Sequence, residues 1–296
     1  MNTYLIFRTD KIGDFLLSTI LINSIKRNDP DSHITIVSSK KNYDYIKSFN
    51  FVNEVITLEN SLFNKIKLIN KLRSTYYDFI ILHDSKKRSS IISSFLKHKV
   101  IIKPNKNLDI SHIDIIKEIL SKLNFDFMSS DLNTLNHRNY NSFNYSKNDF
   151  ILFHFDEKWI YKDYISDYFN IEPSKNELIS FINSLLIVSK KKVIITTGLR
   201  CPVILNDIID NFNDKVKIYN KLDFIDLENL ISKCKLLVSC HGSVSHVAAA
   251  HQIKQIDIID EMKLNFYSKW TAHFRNYTPI YRKKFSTLSD EITKLL

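Results

Sequence analysis

Three short stretches of this sequence combine residue types that could take a proton, hold a phosphate or present backbone amides to an anion. The first, Arg8-Thr9-Asp10-Lys11-Ile12-Gly13-Asp14, ends on a carboxylate followed by the apolar run Phe15-Leu16-Leu17, so Asp14 belongs at the start of a helix. There it serves either as a proton acceptor or as a first-turn acid, favoured by the orphan N–H groups and the helix dipole. The second, His154-Phe155-Asp156-Glu157-Lys158-Trp159, sets a lysine beside an indole at the end of an apolar run. Such a lysine can bind a phosphate sheltered from water, or be a surface residue next to a core-anchoring Trp. In the third, Ser239-Cys240-His241-Gly242-Ser243-Val244-Ser245-His246-Val247 followed by three alanines, small residues open an Ala-rich helix. Its first N–H groups make an anion site. His246, in the first helical turn, is either part of that site or a hydrogen-bond partner of the loop.

Several chemistries lose support on the same residues. In the first loop the lysine precedes the only glycine, so it is neither a phosphate-binding G-x-x-x-x-G-K-[ST] loop nor a three-glycine dinucleotide fingerprint. No H-E-x-x-H or C-x-x-C occurs, and the one D-x-D, Asp29-Pro30-Asp31, precedes the second expected strand. No metal or other cofactor is therefore expected. Cys201, Cys234 and Cys240 fit neither a disulfide framework nor a zinc knuckle and suit a reducing compartment. The N-terminus is charged by Arg8 and lacks a small-residue cleavage site, so a cytoplasmic location is expected.

The elements that must position these loops follow from the pattern. At 296 residues, two domains are the natural division. The chain has three glycines, at 13, 198 and 242, where average usage implies about twenty. Each is expected at positive φ or where backbone approaches a ligand, in a loop between a strand and a helix. Gly198 and Thr197 thereby join the candidate ligand-binding residues. Strands are expected at 4–8, 33–37, 55–58, 79–82 and 100–102, with helices at 15–26, 61–74 and 110–123. After a polar stretch at 129–148, strands are expected at 150–154, 192–197, 216–218, 236–239 and 255–259, with helices at 175–189, 203–212, 225–234 and 243–251. The alternation predicts an α/β chain of parallel sheets, with domains 1–145 and 146–296, and the last helix able to pack back on the first. Ligands of such sheets bind beyond the strand carboxyl ends.

Together these loops resemble glycosyltransferase family 9, the heptosyltransferase family of lipopolysaccharide assembly. The opening strand Leu5-Ile6-Phe7-Arg8 through Gly13-Asp14, the Lys158-Trp159 pair and the run from His241 to Ala249 carry the resemblance. It implies a GT-B fold, two Rossmann-like domains with a cleft between them, inversion at the anomeric carbon and no catalytic metal. On it, Asp14 is the general base, and Arg8, Lys11 and Gly13 form the acceptor-side loop. Lys158, His241, Gly242, Ser243, His246, Gly198 and Thr197 hold the nucleotide sugar. The chain departs from the family where His241 replaces an Asp that helps hold the donor sugar, where the glycine is shifted to 242, and where Asp156-Glu157 precedes Lys158. The donor need not be ADP-heptose.

The net charge of +10 suits a phosphorylated or lipid-linked saccharide acceptor and loose association with the inner membrane. Basic residues are otherwise scattered, which speaks against nucleic acid as a partner. The expected activity is metal-independent, inverting transfer of a heptose or related sugar to a bacterial lipopolysaccharide, lipooligosaccharide or capsule. A sugar-nucleotide 2-epimerase of the same architecture and a non-catalytic binding module are the alternatives.

Overall fold

Runs such as Leu5-Ile6-Phe7 and Phe150-Ile151-Leu152-Phe153 are buried on both faces, as strands inside a parallel sheet covered by helices must be. The computed structural model describes residues 1–105, 110–135, 138, 140, 142–160 and 167–296. It forms two units, Met1–Thr134 and Leu135–Leu296. The first contains β1 (Thr3–Phe7), α1 (Ile12–Asn28), β2 (His33–Ser38), α2 (Tyr43–Lys47), β3 (Glu54–Thr57), α3 (Leu62–Leu72), β4 (Tyr76–Ile81), α4 (Lys87–Ser93), β5 (Lys97–Ile102) and α5 (His112–Lys122). The second contains β6 (Phe150–His154), α6 (Lys175–Ser189), β7 (Lys192–Thr196), α7 (Val203–Asn206), β8 (Val216–Tyr219), α8 (Phe224–Lys233), β9 (Leu236–Cys240), α9 (Ser243–Ala250), β10 (Lys254–Ile259), α10 (Leu264–Thr271), β11 (Tyr277–Tyr281) and α11 (Phe285–Lys294).

Local chemistry sets several boundaries. Ser61 and Ser111 accept from the backbone N–H groups of Asn64 and Asp114 and so start α3 and α5. Ser174 and Glu177 form a capping box at α6, which stops where Lys190 turns left-handed.

Both sheets are wholly parallel. Their strand orders are β3-β2-β1-β4-β5 and β11-β10-β9-β6-β7-β8, so each reverses direction once, at β1/β4 and at β6/β9. That reversal opens a crevice beyond the strand carboxyl ends where such sheets take ligands. The loops after β1 and β4 meet at one switch point and those after β6 and β9 at the other. The second core is aromatic: Phe153 meets Trp159 and Phe181 edge-on, and Phe181 meets Phe285. The last helix, α11, packs on α6 and supplies Phe285, Leu288 and Ile292 to that core.

Four expectations change. None of the glycines has a positive φ, and Gly13 lies inside the first turn of α1 rather than before it. The helix expected over 203–212 is one turn, Val203–Asn206, followed by a 3-10 turn at Ile209–Asn211. The stretch expected as a linker begins as structure: Ser129–Leu132 forms a 3-10 turn whose Asp131 is buried against Arg27 (2.9 Å) and Ser24 (2.7 Å). Residues 136, 137, 139 and 141 of that stretch lie outside the described residues. The helices α2, α4 and α10 and the strand β11 were not anticipated.

Candidate active site

In the first unit the loop after β1 is held from within. Arg8 is buried and donates through Nε to the Asp14 carbonyl and through Nη1 to the His83 carbonyl, both at 2.8 Å. Its Nη2 stands 4.0 Å from Asp14 Oδ1. Asp14 is the third residue of α1, and its Oδ2 accepts from the Lys11 N–H at 3.0 Å. The first-turn capping role is therefore real, and the carboxylate is still 22% exposed. A carboxylate held in place and still partly exposed has the placement a general base needs.

The loop after β4, absent from the sequence expectations, completes this cluster. Thr9 Oγ1 donates to Asp84 at 2.6 Å, Ser89 donates to the same oxygen at 2.7 Å, and Arg88 Nη2 donates to Thr9 Oγ1 at 2.9 Å. Lys86 donates to the Thr9 carbonyl and pairs with Asp10. Burial, and then the Arg8 charge, hold the His83 imidazole well below the usual histidine range. His83 is thus neutral, with Nδ1 sharing a hydrogen bond with Ser18 (2.8 Å).

In the second unit the loops after β6 and β9 meet at Lys158. Its ammonium pairs with the buried Asp156 at 2.6 Å. A Cβ added to Gly242 would stand 2.7 Å from Lys158 Nζ, so the lysine lies directly over the residue that starts α9. Gly242 has extended backbone; it is required for space and not for its φ. Gly198 is alike: its Cβ would fall 2.0 Å from the Glu157 carboxylate, which also accepts from the Arg200 N–H at 2.6 Å. The Asp156-Glu157 pair thus seats one lysine and one loop. Burial drives Asp156 up and Lys158 down, but their mutual attraction, with His154 beside Asp156, leaves Asp156 below and Lys158 above their ordinary values. Both are charged at neutral pH.

His241 Nδ1 shares a 2.6 Å hydrogen bond with Asp257, a fully buried carboxylate that also accepts from Ser245 at 2.8 Å. Ser245 in turn accepts from the Gly242 N–H at 3.2 Å. The His241 ring is 5.7 Å from that of His246, which is buried against Trp270, His273 and Phe274. Ser243 is half-buried as the first residue of α9. The buried Thr197 accepts from the Lys221 N–H through its hydroxyl at 3.1 Å and so ties two loops together. Arg282, unforeseen, donates to the Lys158 carbonyl (2.8 Å) and the Phe169 carbonyl (3.0 Å) and so braces the lysine's backbone. Asp257 had a signal in the sequence, a carboxylate alone among Ile256, Ile258 and Ile259.

A cavity of about 600 Å³ lined by Asp149, Lys190, Lys192 and Lys215 sits at the amino ends of β6 to β8, away from these loops. Among the described residues, no group of three or more His, Cys, Asp or Glu is placed to hold a metal ion, and no helix is long and apolar enough to cross a membrane.

No family model matches the sequence, nor does any curated protein. Solved structures do match its fold. Escherichia coli heptosyltransferase WaaC with ADP superposes with a TM-score of 0.73 at 12% identity, covering 99% of this chain and 98% of that one. A glycosyl transferase family 9 protein from Veillonella parvula gives 0.68 at 11% identity, covering 99% and 91%. The UDP-GlcNAc 2-epimerase of Methanocaldococcus jannaschii gives 0.58 at 11%, covering 100% and 92%. At these identities the likeness establishes the fold: α/β, GT-B, two Rossmann-like units.

Proposed function

We propose that the chain is an inverting glycosyltransferase that moves a sugar, heptose or a relative, from a nucleotide sugar to a bacterial surface-glycan acceptor. The observation that carries this reading is the Lys158 ammonium seated over Gly242 at the head of α9, at the switch point of the second sheet. A fixed cation at a helix N-terminus suits a diphosphate, as ground-state ligand and as leaving group. That WaaC shares the fold and was solved with ADP and with ADP-2-deoxy-2-fluoro heptose supports a nucleoside diphosphate sugar as donor class.

In the proposed step an acceptor hydroxyl oxygen bonds to the anomeric carbon as the bond to the diphosphate oxygen breaks. The bonding electrons leave with the diphosphate and the hydroxyl proton passes to Asp14. The charge developing on the diphosphate falls to Lys158, to the N–H groups opening α9 and to His246. His241, oriented by Asp257, takes the sugar side of the donor. No other cofactor enters, and the reaction belongs in the cytoplasm, with a phosphorylated or lipid-linked saccharide as acceptor.

Two outcomes test this reading. Transfer assayed after exhaustive EDTA treatment should persist, because Lys158 and α9 do the work of a metal; activity lost and restored by Mg²⁺ or Mn²⁺ would contradict it. Gly242→Ala should fold normally, since its backbone conformation suits any residue, yet displace Lys158. Nucleoside diphosphate affinity by calorimetry should fall roughly tenfold, the scale of one weakened charge-assisted hydrogen bond. Unchanged affinity would remove Lys158 from the phosphate site.

A further inference from the structure

Helix α3 turns Phe63, Ile66, Lys67 and Asn70 outward at i, i+3, i+4 and i+7, and the exposed Leu62 lies one turn before Ile66. Helix α4 and the turn after it expose Lys87, Ile91, Ser94 and Phe95 in the same way. The opposite faces, Leu68 and Leu72 on α3 and Ile92 on α4 with Leu96 in the turn after it, enter one core cluster, so the two helices cover the same side of the sheet. Arg88 Nη1 donates to Asn60 Oδ1 at 2.9 Å and so ties the start of α4 to the start of α3. Leu62 and Phe63 are about three-quarters exposed, and Ile66, Ile91 and Phe95 about half or more. Large apolar side chains grouped in this way mark an interaction surface.

Charge says what covers it. Residues 62–102 hold nine lysines and arginines against two acids, Asp78 and Asp84, in a chain whose net charge is +10. With so few acids, this stretch carries seven of the chain's ten net positive charges. The neighbouring acids Glu54 and Glu59 are each paired, with Lys71 and Lys40. In the second unit, by contrast, the exposed Met262 and Phe266 follow Asp260 and Glu261.

We propose that the outward faces of α3 and α4 dock on an anionic lipid bilayer. Phe63, Leu62 and Ile66 enter the acyl boundary while Lys67 and Lys87 meet lipid phosphates. The inference rests on this surface and not on the proposed reaction. Arg88 also donates to Thr9, so the docked face is joined to the loop that carries Asp14, where a lipid-linked acceptor would arrive.

The test is co-sedimentation of the full chain with vesicles of mixed phosphatidylcholine and phosphatidylglycerol, without any donor, so that failed catalysis and failed docking are read separately. Binding should be strong on these vesicles and weak on pure phosphatidylcholine, and it should fall with salt. Phe63→Ser/Ile66→Ser and Lys67→Glu/Lys87→Glu should each weaken partitioning about tenfold or more, with unchanged thermal melting. Equal binding to both vesicle types, or variants that bind like wild type, would overturn the proposal. So would a wild-type dimer without vesicle binding that Phe63→Ser/Ile66→Ser turns into a monomer, which would assign the face to a second copy of this chain.

Discussion

Replacing Asp14 by Asn is expected to lower kcat by roughly 10²–10⁴, the scale of a lost general base, with folding and donor affinity close to wild type. The geometry makes the variant discriminating. Asp14 Oδ2 accepts from the Lys11 N–H, and the amide oxygen of Asn can keep that bond, so the helix start survives. What the fold loses is a first-turn negative charge, about 0.3–1 kcal/mol of helix-dipole interaction, and a 4.0 Å pairing with the buried Arg8, which keeps Asp10 at 3.7 Å. What the reaction loses is the ability to accept a proton. The anchoring of Arg8 on the Asp14 and His83 carbonyls does not involve the carboxylate. Turnover near the wild-type value would leave Asp14 as a capping residue only.

The second large effect belongs to Lys158. Lys158→Ala should weaken nucleoside diphosphate and intact nucleotide sugar alike, by about 1.5–3 kcal/mol. His241→Ala should instead weaken the intact donor more than the bare nucleotide. Calorimetric titration of both variants with both ligands reads the contrast, and equal losses in His241→Ala would leave His241 as a structural residue of the turn. Lys158→Ala also strips the buried Asp156 of its partner, costing about 3 kcal/mol of stability, the lower end for a broken buried pair because the lysine is partly exposed. The pH dependence has a definite sign. In the wild type Asp156 is held below its unfolded value of about 3.9, so the pair's contribution is present above that pH and is lost as pH falls. In the variant burial is opposed by His154 but no longer by the ammonium, so Asp156 rises relative to the wild type. The stability gap between the two proteins should be full at neutral pH and narrow toward pH 4 in urea unfolding. A gap constant with pH would contradict the pairing.

Much of this fold was legible because its strands are continuous apolar runs. Phe150–His154 coincides with its expected strand, and β1, β9 and α9 fall within a residue or two. The misses have physical causes. Strand β11 contains Pro279, which reads against a strand, yet β11 lies at the sheet edge where a missing N–H is tolerated. Helix α4, Lys-Arg-Ser-Ser-Ile-Ile-Ser, is short and rich in serine and β-branched residues, with weak helix propensity. It forms because Ile92 and Ser93 are buried by tertiary packing. In the candidate site, the glycine, lysine and histidine motifs stood out as residue types. Their supports did not, since Thr9 meets Asp84 across 75 positions and Arg282 meets Lys158 across 124. Topology alone brings such pairs together. The rarity of glycine singled out Gly198 and Gly242, where what excludes a side chain is the Glu157 carboxylate and the Lys158 ammonium rather than backbone strain.

The central claim is transfer of a sugar from a nucleotide donor, and it separates from epimerisation and from mere binding in one measurement. The purified chain is incubated with ADP-, UDP- and GDP-linked sugars, with and without a lipooligosaccharide extract, and followed by proton NMR. Inverting transfer predicts that nucleoside diphosphate appears only when acceptor is present, in step with a new glycosidic anomeric signal of opposite configuration to the donor's. A C2 epimer formed without acceptor, or no turnover of a sugar nucleotide that binds, would contradict it.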